Sequence, residues 1–96
     1  MNTAERMAET DRRRALLTAL LVAPAYMMPA RALREQIGLA GYAVSLDRVM
    51  ADCAWLAEMG LAAWQNEVAT LTDRGADVVL GHAQVPGVKR PEPGQV

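Results

Sequence analysis

The chain has 96 residues, of which 52% are hydrophobic and 22% charged; this mixture is typical of one small globular domain and excludes a disordered chain. Ten basic and eleven acidic residues leave a net charge of -1, so the chain lacks the basic excess of most dedicated nucleic-acid-binding proteins, although a local basic patch is still compatible with it. The single cysteine excludes an internal disulfide, and no apolar run reaches the ~20 residues of a membrane helix. We therefore expect a cytoplasmic protein that does not associate with membranes.

A first helix is predicted after a polar N-terminal segment. Residues 1–9 are expected either to fray or to extend this helix, for which Thr10 and Asp11 would form the cap and first turn. Four leucines within 16–21 form its apolar face, and Pro24 is expected to stop it. The three arginines at 12–14 are interpreted either as a solvated helix face or as phosphate contacts.

A short second helix is predicted after an apolar connecting loop at 25–28. Pro29 suits the first position of this helix, and Leu33 and Ile37 lie on one face because they are four residues apart. We expect Gly38 to end the helix, since glycine adopts the backbone angles that a helix end requires.

The strongest pattern in the chain follows the next turn, 39–44, in which Gly41 permits an unusual backbone angle. Ser45 can cap a third helix, and Asp47 is favourably placed against the helix dipole. The apolar residues of this helix recur on one stripe: Leu46, Val49, Met50, Cys53, Leu56 and Ala57. Gly60 suits the left-handed position that ends a helix.

A minimal β-hairpin is predicted next, with strands at 61–64 and 68–71 and a turn in which Asn66 best tolerates a left-handed conformation. A fourth helix, 74–80, follows a cap at Thr72 and Asp73. The predicted domain boundaries are therefore a frayed segment at 1–9, a domain at 10–81 and an extended tail at 82–96. The tail is rich in proline and glycine and contains Lys89 and Arg90, so it is either a loose end or an arm that docks on a partner or a nucleic-acid backbone.

This order of elements resembles the winged helix-turn-helix of bacterial repressors such as those of the ArsR and MarR families. The pieces that carry the resemblance are 33–38, 44–49, 56–61 and 71–75. The last two, together with 85–91, also resemble a small uncharacterised protein family of Mu-like prophages. The resemblance covers about residues 12–91 and implies a mainly α-helical fold, with four helices and a two-stranded wing.

The resemblance implies that the third helix enters the major groove of double-stranded DNA and that the wing contacts the backbone. The positions that would face the groove are Ser45, Asp47, Arg48, Ala51 and Asp52. Among these, Ser45 and Arg48 are chemically suited to contact bases, because arginine can recognise a guanine edge. Phosphate contacts are assigned to Arg31, Arg34, Lys89 and Arg90. We expect a homodimeric transcription regulator of the phage or prophage type, although Asp47, Asp52 and Glu58 flank Arg48 and the wing lacks a basic residue.

The alternative is a winged helix that serves as a protein–protein interaction module without binding DNA. Trp55 lies in the middle of the predicted polar face, where an uncovered tryptophan is costly. Either Trp64, the first helix or the tail packs over it, or Trp55 anchors a dimer or partner interface, to which Trp64 is also assigned.

We expect no enzymatic activity, because no pattern of catalytic residues is present. Ser45 is better explained as a helix cap than as a nucleophile, and Cys53 as a small buried hydrophobic residue. With one cysteine and His82 as its single histidine, the chain offers no tetrahedral metal site. No catalytic residue, metal or cofactor is therefore assigned.

Overall fold

The computed structural model describes residues 2–91. Its elements in chain order are α1 (Thr3–Val22), a 3-10 turn (Pro24–Tyr26), β1 (Met27–Pro29), α2 (Ala30–Leu39), α3 (Leu46–Glu58), β2 (Ala62–Gln65), β3 (Val68–Leu71) and α4 (Asp73–Val79). Within this part of the chain the fold is mainly helical, with four α-helices and a three-stranded antiparallel sheet.

The sheet has one strand more than the two that the sequence predicts. β1 pairs with β3, Met28 lying opposite Ala69, so that β3 is the central strand in the order β1-β3-β2. Ala25 and Tyr26 adopt positive φ angles of 56° and 58°, which redirect the chain after α1, and part of the segment predicted as a connecting loop then pairs with β3. A strand of three residues is too short to show an alternating hydrophobic pattern.

α1 begins at Thr3, earlier than the predicted cap at Thr10. The side chain of Asn2 caps it by accepting a hydrogen bond from the Glu5 backbone N–H at 2.8 Å. Residues 3–9 therefore extend the helix, as the second of the two expectations for this segment states. The helix ends at Val22, two residues before Pro24. Neither α1 nor any other helix within residues 2–91 is both long and apolar enough to cross a membrane.

Among the predicted signals around α2 and α3, those at Gly41, Ser45 and Gly60 are confirmed, Gly60 having a φ of 76°. Pro29 is the N-cap of α2 and the last residue of β1, not the first helical residue. The Ser45 hydroxyl caps α3 by accepting from the Arg48 backbone N–H at 3.1 Å, and Gly41 has a φ of 102°. Gly38 does not end α2, which continues to Leu39. The left-handed residue at which the chain turns away from α2 is Gly41, so Gly38 can stay helical.

The hairpin and the last helix follow the prediction closely. β2 and β3 are joined by the two-residue turn Asn66–Glu67, in which both residues are left-handed, with φ of 52° and 60°. The Thr72 hydroxyl caps α4 by accepting from the Gly75 N–H at 3.0 Å.

The core lies where α1, α2 and α3 meet one face of the sheet. The predicted stripe of α3 faces it: Val49, Cys53 and Leu56 are fully buried. The other large apolar side chains that are fully buried come from three elements and a loop: Leu16, Leu17, Leu20, Leu33, Ile37, Leu61 and Val79. Burial of these side chains is the main favourable contribution to folding.

The tail packs on the domain over its described part, residues 82–91. Val85 and Val88 are buried with the core, and the backbone N–H of Lys89 donates to the Thr10 carbonyl at 3.2 Å. The expectation of a loose end is therefore wrong for these residues, because two valines are buried in the core and a backbone hydrogen bond joins the tail to α1. Residues 92–96 of the predicted tail lie outside the described residues.

Candidate nucleic-acid interface

Ser45 and Arg48 lie at the start of α3, and both are exposed. The Ser45 hydroxyl oxygen accepts from the Arg48 N–H, which leaves its own O–H available as a donor. The Arg48 guanidinium makes no ion pair with any residue between 2 and 91, so its charge faces solvent on this end of the helix.

Arg34 brings α2 to the same place. This exposed side chain donates from Nε to the Val44 carbonyl oxygen at 3.0 Å, directly before the cap of α3. Arg34 and Ser45 therefore line one shallow cleft, together with Gly38, Ala43 and Val44. The hydrogen bond uses one N–H of the guanidinium and leaves the others free to contact an anion.

Arg31 lies one turn earlier on α2, beside the tip of the hairpin. The Ala30 backbone N–H donates to the Glu67 carbonyl at 2.9 Å, which fixes the hairpin turn against the start of α2. Arg31 lines a second cleft with Pro29, Ala30, Asn66 and Glu67. We call the exposed group of Arg31, Arg34, Ser45 and Arg48 the α2–α3 surface.

Asp52 is not on this surface, although the resemblance placed it among the groove-facing residues. Its side chain is 2% exposed and accepts two hydrogen bonds from Arg12 of α1, from Nε at 2.5 Å and from Nη2 at 3.1 Å. The hydrogen bond with Asp52 raises the pKa of Arg12, although burial opposes this. Arg12 is therefore neither solvated nor a phosphate contact, and one of the three acidic groups expected around Arg48 is neutralised inside the protein.

Trp55 is half-buried under α1 and the tail. The guanidinium carbon of Arg13 lies 3.9 Å from the centroid of its ring, and Nη1 of Arg13 donates to the Gly87 carbonyl at 3.2 Å. Arg13 also forms an ion pair with Glu9. Of the three candidates for covering Trp55, which were Trp64, the first helix and the tail, the helix and the tail therefore do so.

Trp64 lies on β2, half-buried against the core. The assignment of both tryptophans to an interface stays a prediction.

Lys89 and Arg90 do not join the α2–α3 surface. Nζ of Lys89 lies 3.6 Å from Oδ1 of Asp11 on α1, and Lys89 lines a different cleft between α1 and α2. Nε of Arg90 lies 3.1 Å from the side-chain oxygen of Gln84 when that amide is oriented to accept. Of the six residues assigned to DNA, Arg34 and Ser45 share one cleft, Arg31 lies beside the hairpin tip, and Arg48 is exposed on the first turn of α3. The other two, Lys89 and Arg90, lie on the docked tail.

The ion pair of Arg12 with Asp52 and the stacking of Arg13 on Trp55 are the two features that sequence reasoning missed. A signal for the first was present, because Asp52 follows Val49 by three residues and precedes Leu56 by four, which places it at the edge of the buried stripe. No comparable signal indicated which arginine would cover Trp55.

Comparison with known proteins places the chain among phage proteins. No protein-family model matches the sequence, and no solved structure matches it. Over 65 residues the chain is 45% identical to the uncharacterized protein gp26 of Escherichia phage Mu, in an alignment that covers 64% of this chain and 68% of the phage protein. This similarity confirms the resemblance to proteins of Mu-like phages. The chain belongs to the same protein family as gp26 of phage Mu.

Proposed function

We propose that this protein is a winged helix-turn-helix protein that binds double-stranded DNA through α2 and α3. Two helices joined by a short turn, with a β-hairpin directly after the second, are the arrangement expected for such a domain. The chain has this order, and β1 pairs with the hairpin beside the start of α2. In this assignment α3 is the recognition helix and the turn Asn66–Glu67 is the tip of the wing.

The observation that carries the proposal is the hydrogen bond from Arg34 to the Val44 carbonyl. It holds a cation of α2 beside the first residues of α3, the part of a recognition helix that contacts base edges. In the proposed complex, Arg48 contacts a guanine edge and Ser45 donates to a base or a phosphate. Arg31 and Arg34 lie on phosphates of the adjoining backbone.

The internal pairing of Asp52 makes this surface more favourable to DNA than the sequence indicates. Of the acidic residues of α3, Asp47 and Glu58 remain exposed, at opposite ends of the helix. Glu67 at the wing tip still opposes phosphate. We therefore infer modest affinity for a single domain and propose that a homodimer on two half-sites supplies the rest. The biological role that we propose is regulation of phage or prophage transcription.

The test is DNA binding by the double variant R34A/R48A, measured by fluorescence anisotropy at low salt with fragments of the phage operon that contains the gene. We expect the double variant to bind at least about tenfold more weakly, and its salt dependence to fall by about one unit per phosphate contact removed. Arg74→Ala is the matched control, because Arg74 is an exposed arginine on α4, away from the α2–α3 surface. Unchanged binding by R34A/R48A would remove these two residues from the interface.

A protein-interaction role is the second candidate, and one observation favours it. Tyr26 and Met27 are exposed by 56% and 45%, next to each other at the start of β1. Apolar side chains exposed together can mark a protein contact. In light scattering, a lower mass for Y26S/M27S than for the wild type would support an interface here. The protein-interaction role would be favoured over DNA binding if the wild type binds no operon DNA and the variant Y26S/M27S has a lower molar mass than the wild type.

A further inference from the structure

A cleft that is open on one side and lies away from the α2–α3 surface has a volume of about 320 Å³. It lies between α1 and α2, and residues of the α2–α3 turn and of the tail also line it. Its lining residues combine charged, polar and apolar groups: Asp11, Arg14, Ala15, Thr18, Ala19, Val22, Gln36, Ile37, Ala40, Tyr42 and Lys89. Its volume is at the lower end of the ~300–1,000 Å³ of small-molecule sites, so it suits a small molecule better than a peptide.

The charged groups of the cleft leave one positive charge in excess. Lys89 and Asp11 face each other at 3.6 Å and balance one another. Arg14 is half-buried, and among residues 2–91 no carboxylate lies within ion-pair distance of its guanidinium. Its Nε is enclosed and has no hydrogen-bond partner. A buried donor without a partner is uncommon in folded proteins and costs free energy. The enclosed Nε does not itself reach the cleft, but within residues 2–91 no hydrogen bond or ion pair engages Nη1 or Nη2 of Arg14 either, so these two nitrogens are available to an anion.

The remainder of the lining suits an apolar body. Ala15, Ala19 and Val22 of α1 face Ile37 of α2 across the cleft. Their small and aliphatic side chains leave the space open, and the polar groups of Gln36 and Tyr42 are available to orient a ligand. The Thr18 hydroxyl also lines the cleft, but it already donates to the Arg14 carbonyl at 3.0 Å.

We propose that this cleft binds a small monocarboxylate with a compact apolar body. The carboxylate pairs with the guanidinium of Arg14, a geometry that allows two parallel hydrogen bonds. The apolar body lies against Ala19 and Ile37. This inference does not depend on DNA binding, because none of the four residues of the α2–α3 surface lines the cleft.

The test is an NMR titration of the full chain with cyclohexanecarboxylate, compared with its uncharged analogue cyclohexanecarboxamide. We expect amide shifts at the lining residues and affinity for the carboxylate at least about tenfold higher than for the amide. Arg14→Gln should remove this preference, whereas Arg74→Gln, which changes an exposed arginine on α4, should retain it.

A second variant separates loss of the charge from loss of the fold. Ala19→Leu keeps Arg14 and fills the cleft, so it should weaken carboxylate and amide binding alike. The proposal is overturned if neither compound binds at about 10 mM, if both bind equally, or if the shifts lie outside the cleft. It is also overturned if folded Arg14→Gln keeps the preference or if folded Ala19→Leu binds as the wild type does.

Discussion

Asp52 of α3 and Arg12 of α1 form an ion pair that is almost entirely enclosed, with 2% and 10% of their side chains exposed. Two parallel hydrogen bonds join the guanidinium to the carboxylate and connect helices whose sequences lie 40 positions apart. Removing two charges from water costs free energy, and the two hydrogen bonds between the charged groups offset this cost. The pair therefore makes each partner dependent on the other.

We predict that Asp52→Asn destabilises the protein strongly, because it leaves the buried charge of Arg12 without its counter-charge. The expected loss in the free energy of unfolding is about 3–5 kcal/mol, measured by urea denaturation. The apolar double variant R12M/D52L should lose less, since it removes both charges together. A double variant as unstable as Asp52→Asn would show that the pair itself stabilises the fold.

The contact between Gly87 and Trp55 gives a second prediction. Gly87 has a φ of 97°, and a Cβ at this position would lie 2.6 Å from Cζ2 of Trp55. Gly87→Ala therefore adds a clash to the cost of a left-handed backbone, for a total loss of about 2–4 kcal/mol in the free energy of unfolding. Gly81→Ala is the matched control, because Gly81 has a φ of 84° but its nearest neighbour lies at 3.7 Å. Equal losses in thermal or chemical unfolding would mean that the tail can move away from Trp55 at little cost.

Cys53 gives a prediction about pH. Burial, with a smaller contribution from Asp52, raises the pKa of the Cys53 thiol from 9.0 to about 12. Because the folded protein holds this proton more tightly than the unfolded chain does, the contribution of Cys53 to stability is fully present below pH 9 and is lost as the pH rises from 9 towards 12.

The measurement is the free energy of unfolding across this pH range for the wild type and for Cys53→Ala, which removes the titrating thiol. The wild type should lose stability more steeply with pH than the variant. At pH 8 the native thiol should also react with iodoacetamide far more slowly than the thiol of the urea-unfolded chain. Parallel pH profiles, or rapid native labelling, would contradict the assignment.

The wing tip gives a stabilising prediction. Glu67 has a φ of 60°, in the left-handed region where glycine is favoured and glutamate is strained. Glu67→Gly should therefore raise the free energy of unfolding by about 1 kcal/mol. Gln65→Gly, at an extended position of β2, should lower it by about 0.5–1 kcal/mol. Thermal unfolding would test this, because the melting temperature should rise for Glu67→Gly and fall for Gln65→Gly.

The elements that the sequence predicted well are those whose signals are local. Ser45 and Thr72 are caps followed by regular apolar spacing, and Asn66 is a residue that tolerates the turn it occupies, so each could be placed without knowing the rest of the fold. β1 could not be predicted in this way. Its three residues form a strand because β3 offers them a partner some forty positions later in the chain.

The candidate site shows the same division between local and long-range information. The exposure of Ser45 and Arg48 follows from the helical pattern of α3 alone. The position of Arg34 beside Ser45 depends on how α2 packs against α3, and the pairing of Asp52 depends on α1. Charges counted along the sequence therefore overstated the acidity of α3, because one of its carboxylates is neutralised by a distant helix.

The docked tail also has a consequence for how the protein is made. Arg13 and Gly87 are 74 positions apart, so α1 leaves the ribosome long before the backbone that completes its contacts has been synthesised. Closing a loop of this length costs entropy, and the contact can form only after the tail has been synthesised. A nascent chain that ends before residue 85 would lack the two tail valines and the part of the cover of Trp55 that Gly87 supplies, and would expose part of its apolar interior to chaperones.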